Sequence, residues 1–475
     1  MSNDSLPPNP DGKDHHDFRQ VLGPVSATCI VVGAIIGIGI FFTPTNVAET
    51  VGSERLALLA WSIGGLIALL GALTFAELGG MYARTGAQYE ILRDAFNSCV
   101  SFLYVFCNAT AIQSGAIAII AYVGALNLSL IFRDAPPDSG WLVFFAVQLI
   151  VLLTAINIIG VRWGAAVQNI TVFTKVGALL MITGLAAFVA PERETLAAAS
   201  AAVTDEPAQS ALLLVFAGLV PVLFSFGGWQ HALWIGGEVK SPAKNVPRAL
   251  IFGVGIVIVV YLMVNWGYFR LLGFNGVAES DALAADAVAG VWPDIGRKLI
   301  AAIVGVSAFG VLNAQLLSGP RLIYGMARDG KFFSKFGQTH ASYRTPVYAI
   351  LLLGSIGTFL LIVAGADGVD KLLNGVVFID SVFFVLTGLA LIILRYRRPD
   401  APRTVRVPLY PIVPILFIIG ELAVMIGAFS IPKYQQSAVI AAIWIAVAAV
   451  FYFALFNKNK SFNKNKSTKK NDPNT

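Results

Sequence analysis

Charge is scarce in this chain. Only 13% of its 475 residues are Asp, Glu, Lys or Arg, where a soluble domain carries about 25%. Histidine (four) and cysteine (three) are scarcer still. Each shortage excludes something. Cys29, Cys99 and Cys107 lie in or beside apolar segments, with neither a disulfide framework nor zinc-ligand spacing. His15, His16, His231 and His340 are scattered, two of them within the first 20 residues, so no histidine cluster and no Ser/His/Asp set can be assembled. A Gly-rich loop ending in Lys-Ser/Thr is missing, which argues against a primary pump. The expectation is a protein that is not an enzyme and needs no metal or cofactor. The opening stretch also lacks an apolar core. Pro7, Pro8, Asp11 and Asp14 make it polar, so it reads as a disordered cytoplasmic tail over 1–20, not a cleavable signal peptide.

What the chain has in abundance is apolar sequence: 57% of residues, with mean hydropathy +0.75. A membrane helix needs roughly 20 apolar residues, which leaves room for about a dozen spans. They are read near 22–49, 56–81, 98–132, 141–160, 166–190, 211–237, 249–272, 297–326, 346–365, 371–394, 411–430 and 437–456. The net charge of +6 would suit a nucleic acid if it were clustered. Instead the basic residues alternate with the spans, so the bilayer is the expected partner and nucleic acid is not. With the N-terminus inside, about 24 of the 33 Lys and Arg fall on the inner side, as the positive-inside rule requires. Both termini are therefore expected in the cytoplasm of a multi-pass protein of the cell (inner) membrane. The segment 191–210 reads as an acidic outer loop. The segment 457–475 reads as a basic cytoplasmic tail, solvated or resting on anionic lipid.

Two of the spans are broken by glycine. The first contains Gly33, Gly37 and Gly39 within Val31–Phe41; the sixth carries Phe224-Ser225-Phe226-Gly227-Gly228-Trp229-Gln230. Hydrocarbon cannot solvate free backbone groups, so unwound backbone survives at membrane depth only inside protein or against a cavity. Two broken spans at corresponding places in two halves mark a transporter's binding site. Spans one to five (21–190) and six to ten (211–394) then form repeats of odd span number, which must be inverted relative to each other, with 395–456 added after them. At Gly37–Gly39, freed amides at a half-helix N-terminus suit a carboxylate on Ile38, Gly39 and Ile40. Close helix packing through Gly33 and Gly37 is the competing reading. Carbonyls of Phe224, Ser225 and Gly227 would accept from an ammonium, with Phe224 and Trp229 as lids.

Charged residues inside spans are functional candidates by default. Lys175 lies about ten residues into its span and is a candidate for coupling protons to transport; a snorkelling lysine is the alternative. Asp380, beside Ser381, falls in the tenth span and is weighed as a pocket or gating residue. Glu421 is read as packing in a local polar contact outside the repeat core, and Glu77 as structural.

These stretches resemble the amino acid–polyamine–organocation superfamily, and within it the L-type amino-acid transporter branch and its bacterial relatives. The resemblance runs through Gly33–Phe41, through Leu153–Asn157 with Gln168, Asn169 and Lys175, and through Phe226–Trp229 with Gly237–Ala249. It continues in Phe309–Asn313 with Pro320-Arg321-Leu322, and in Arg403–Pro408 with Tyr410-Pro411 and Pro414. Ile38 stands where the family usually has Ser. The resemblance implies an all-α membrane protein with a LeuT-type fold: 12 transmembrane helices, a 5+5 inverted repeat, and discontinuous helices 1 and 6. It implies a carboxylate on the amides of Ile38 and Gly39, an amino group at the carbonyls of Ile35, Phe224 and Gly227, and Phe224 as aromatic gate. It also implies that Lys175 reaches the Gly33 carbonyl and a hydroxyl, Ser307, where relatives hold sodium. The expected activity is secondary active transport of amino acids, neutral L-amino acids favoured, by exchange or proton coupling. A cationic amino acid or polyamine antiporter and a transporter-like sensor stay open as alternatives. The loop 132–141 lacks the cysteine through which animal members bind a partner, so no covalent partner subunit is expected.

Overall fold

The computed structural model describes residues 18, 20–133, 137–189, 211–280, 282–292, 295–365, 369–430 and 432–455. The expectations for 1–17, 191–210 and 457–475 fall outside them. Within them the chain is helical, and pairing is limited to two isolated bridges, Leu22 with Val239 and Thr85 with Ile235. The helices are α1 (Pro24–Ile35), α2 (Thr43–Val51), α3 (Glu54–Met81), α4 (Ala87–Ala95), α5 (Ser98–Cys107), α6 (Gln113–Leu130), α7 (Ser139–Ile159), α8 (Val161–Phe188) and α9 (Ala211–Phe226). They continue with α10 (His231–Trp234), α11 (Pro242–Ala278), α12 (Leu283–Ala289), α13 (Gly296–Ser318), α14 (Pro320–Arg328), α15 (Val347–Ala364), α16 (Val369–Arg397), α17 (Ile412–Ser430) and α18 (Pro432–Leu455). Among the described residues, 10 helical segments are long and apolar enough to cross a bilayer. The first and ninth expected spans appear as shorter apolar helices, Pro24–Ile35 and Val347–Val363.

The interruptions have local causes. The first apolar span stops at Ile35 because Gly37 and Gly39 follow. A 3-10 turn, Gly39–Phe41, then leads into α2, which has Pro44 in its first turn and ends on Gly52 at φ 71°. The sixth span stops at Phe226, and Gly228 adopts φ 117°. A Cβ on Gly228 would lie 2.7 Å from the Ala34 carbonyl oxygen. Glycine is therefore needed there twice over, for its dihedral and for the approach of the two broken helices.

One further irregularity escapes the hydropathy pattern. The third span carries a π-turn, Asn108–Ile112, between α5 and α6, closed by the Ser114 hydroxyl donating to the Ala109 carbonyl five residues back at 2.6 Å. The eighth keeps helical dihedrals through Gly319 (φ −54°, ψ −44°), so α13 runs on into α14 at Pro320. A π-turn shifts helical phase by one residue, and here it sets the direction of Gln113.

α1 packs against α8, α11 and α13, while α9 packs against α2, α3 and α17. Amides bolt α13 to α7 and α8. Asn157 of α7 donates to Asn313 Oδ1 at 2.9 Å; Asn313 donates to the Gly164 carbonyl at 2.8 Å and to Gln168 Oε1 at 3.2 Å. At the α4 end of the bundle, buried Glu77 accepts from Arg395 at 2.8 and 2.5 Å and from the Val407 amide at 2.7 Å, with Arg403 Nε 3.0 Å away. Glu77 thus joins α3, α16 and the segment entering α17.

Candidate functional site

A helix that stops inside a protein leaves its last carbonyls without intrahelical donors. At the end of α1 the carbonyls of Gly33, Ile35, Ile36 and Gly37 are met from neighbouring helices. Lys175 of α8 is fully buried, and its Nζ donates to the Gly33 carbonyl at 2.8 Å and also to that of Ile36. The Tyr261 hydroxyl of α11 sits 3.1 Å from the Ile35 carbonyl and 3.1 Å from that of Ser225. Ser307 of α13 donates to the Gly37 carbonyl at 3.1 Å. The ammonium thereby lies at the negative end of the α1 dipole, where a cation is favoured. Ser307 holds the same broken segment as Lys175, one carbonyl further on, and their hydrogen bonds go to that segment instead of to each other.

Beyond the break the situation reverses. The amides of Ile38, Gly39 and Ile40 make no hydrogen bond among the described residues, whereas Phe41 and Phe42 already donate back to the carbonyls of Ile38 and Gly39. Free donors with partial positive charge therefore stand directly after a capped C-terminus. Ile38 and Gly39 line a cavity of about 100 Å³, together with Ile35, Phe224, Ser225, Gly227, Trp229, Asp380 and Ser381. Ile40 is fully buried and stands outside that lining, so of the three expected amide carriers two border the cavity.

The carbonyl side is narrower than the resemblance implies. The Ile35 and Ser225 oxygens share the Tyr261 hydroxyl, and the Phe224 oxygen receives the Gly227 amide at 3.3 Å. The Gly227 oxygen accepts no hydrogen bond among the described residues. The Ser225 side chain instead meets Thr43 at 2.6 Å, which fastens α9 to α2.

The two aromatics expected as lids differ. Phe224 is half-buried, with its ring centroid 6.5 Å from that of Phe42, and borders the cavity. Trp229 is 1% exposed, stacked on Phe384 at 4.8 Å and edge-on to Phe75 at 6.3 Å. Trp229 is thus wedged on two sides, whereas Phe224 is the more exposed of the two.

Glu421 is relocated too. α17 places it in the cavity lining with Asp380, Gln113 and Gln315, where its local polar contact is the Ser381 hydroxyl. Tyr261, Gln315 and Glu421 are the site residues that sequence reasoning left out. An acid inside an apolar run was the one available signal, and it says nothing about which face α17 turns inward.

Similarity to known proteins follows the same extent. The amino acid permease family matches residues 22–456. This chain belongs to the amino acid permease family. It is 30% identical over 444 residues to the serine/threonine exchanger SteT of Bacillus subtilis, covering 92% of this chain and 98% of that protein. It is 33% identical over 413 residues to the human large neutral amino acids transporter small subunit 2, covering 84% of this chain and 74% of the relative. It is 28% identical over 443 residues to the mouse b(0,+)-type amino acid transporter 1, covering 92% and 88%. As a permease of this family it is a multi-pass membrane transporter of amino acids.

Proposed function

We propose that this permease exchanges neutral L-amino acids across the cell inner membrane by alternating access, with both termini cytoplasmic. The reading adds α1 and α15 to the longer apolar helices to reach about twelve spans in a LeuT-type inverted repeat. The observation that carries it is the juxtaposition of unused amides at Ile38 and Gly39 with the unused Gly227 carbonyl on one cavity. Between them they match the two charged groups that every α-amino acid has in common. The substrate carboxylate would take the amides, and its ammonium the Gly227 carbonyl, helped by those of Ile35 and Phe224. Phe224 would close over the occupant. Lys175, fixing the C-terminal end of α1, would stand in for a bound cation and report the position of that helix to α8. Two relatives, an exchanger of serine and threonine and a transporter of large neutral amino acids, support both the substrate class and the exchange mode.

The test is uptake of a labelled amino-acid panel into proteoliposomes, preloaded or empty, with and without an inward proton gradient. Uptake restricted to preloaded vesicles is the expected outcome. Concentrative uptake into empty vesicles driven by the gradient would replace exchange by proton symport.

A further inference from the structure

The cavity also holds two carboxyl groups that no basic side chain in its described lining pairs. Asp380 of α16 and Glu421 of α17 both line it. Glu421 is 1% exposed and its Oε1 has no hydrogen-bond partner. Two other buried acceptors in the same lining, Oε1 of Gln113 and Oε1 of Gln315, are also unpartnered. The described lining contains no Lys or Arg. The nearest buried cations are already engaged: Lys175 by the carbonyls of α1, and Arg321 by Glu238 at 2.8 Å. His231 borders the cavity, but its Nδ1 meets the Ser318 hydroxyl at 2.6 Å and its ring stacks on Trp234. The Tyr104 hydroxyl, on α5 behind Asp380, donates to Gln88.

Unsatisfied buried acceptors and unpaired buried carboxylates both carry a large desolvation cost. A ligand that supplies N–H donors and positive charge removes both costs at once. An aliphatic side chain would remove neither. The Trp229–Phe384 stack adds aromatic surface of the kind that attracts a cation.

We propose that Asp380 and Glu421, with Gln113 and Gln315, form a side-chain subsite for the ammonium or guanidinium of a dibasic amino acid. The subsite rests on the transport reading above and widens its substrate class beyond neutral amino acids. The α-carboxylate and α-ammonium occupy the broken backbone, and the second cation reaches the carboxylates.

The test uses the full chain in proteoliposomes, with labelled lysine, ornithine, arginine, leucine and serine, for the wild type, Asp380→Asn and Glu421→Gln. Wild-type uptake of the dibasic amino acids, and competition of unlabelled lysine against labelled leucine, are expected. In each variant the ratio of dibasic to neutral kcat/KM falls about tenfold or more, the loss of one charge-assisted hydrogen bond. Competition in the wild type reads the subsite without any variant, so a variant that fails to fold leaves the proposal testable. Wild-type uptake of leucine that lysine neither matches nor inhibits would overturn the subsite while leaving the transport reading intact. Variants that keep the dibasic-to-neutral ratio but lose the pH dependence of leucine uptake would overturn it in favour of proton sites. If no amino acid is transported, the transport reading fails by itself; direct binding of labelled lysine to the detergent-solubilised protein then decides the subsite.

Discussion

Lys175 shows how one side chain can replace several missing backbone bonds. Its ammonium reaches two carbonyls that the end of α1 leaves open, on a side chain that is fully buried. Hydrogen bonds from a charged donor are worth about 1.5–3 kcal/mol each, more where the abandoned partner stays buried. Lys175→Ala should therefore lower amino-acid exchange by at least roughly tenfold while the protein still inserts in the membrane. Wild-type flux with unchanged pH dependence would show that the ammonium is dispensable. Gly39 gives the complementary case. A Cβ there would lie 2.8 Å from Ser225 Oγ and 3.5 Å from the Phe224 ring, so Gly39→Val fills the carboxylate end of the cavity. Loss of measurable substrate affinity is expected, and an unaltered KM would remove the carboxylate from those amides. Both residues were legible in the sequence: a lysine in mid-span and glycines in an apolar helix stand out against their surroundings. Tyr261 did not stand out, because a tyrosine in an apolar span has many ordinary uses and only its position beside two broken helices gives it this one.

At the scale of elements, the breaks at Gly37 and Gly227–Gly228 follow from glycine content alone, and the structure shows both. The π-turn at Asn108–Ile112 does not, since hydropathy runs straight through it. The consequence for the site is concrete: the π-turn sets the helical phase from which Gln113 faces the cavity. Charged side chains also tie whole elements together. Glu77 receives Arg395 and the Val407 amide from two segments more than 300 residues away in sequence, and removing one partner of a buried pair costs about 3–5 kcal/mol. Glu77→Ala is expected to lower the melting temperature of the purified protein by several degrees, read by intrinsic fluorescence; no change would mean that Arg395 and Arg403 find other acceptors. Asn313 makes a similar junction between α7, α8 and α13, and Asn313→Ala should cost about 1–3 kcal/mol through the partners it strands.

For the whole molecule, the asymmetric placement of Lys and Arg predicts orientation. Asp138 and Asp400 are both exposed, just before α7 and between α16 and α17. In a background with Cys29, Cys99 and Cys107 replaced by Ala, Asp138→Cys should react with an impermeant maleimide in intact cells. Asp400→Cys should react only after permeabilisation. The opposite labelling would invert the topology and, with it, the side on which Phe224 closes.

The sequence alone determined the solvent this protein lives in, the rough extent of its apolar segments, and the two places where helix must give way. Those properties are summed or local: hydropathy adds along the chain, and glycine acts on its own dihedrals. Tertiary structure decided which groups serve those breaks and what else shares their cavity. Glu421 lines the same cavity as Asp380, Trp229 packs between Phe75 and Phe384, Ile40 stands outside the cavity lining, and Ser307 bonds the Gly37 carbonyl and not Lys175. Each of these depends on the rotation of one helix against another. That rotation is fixed by side-chain packing between segments far apart in sequence, which no local pattern encodes.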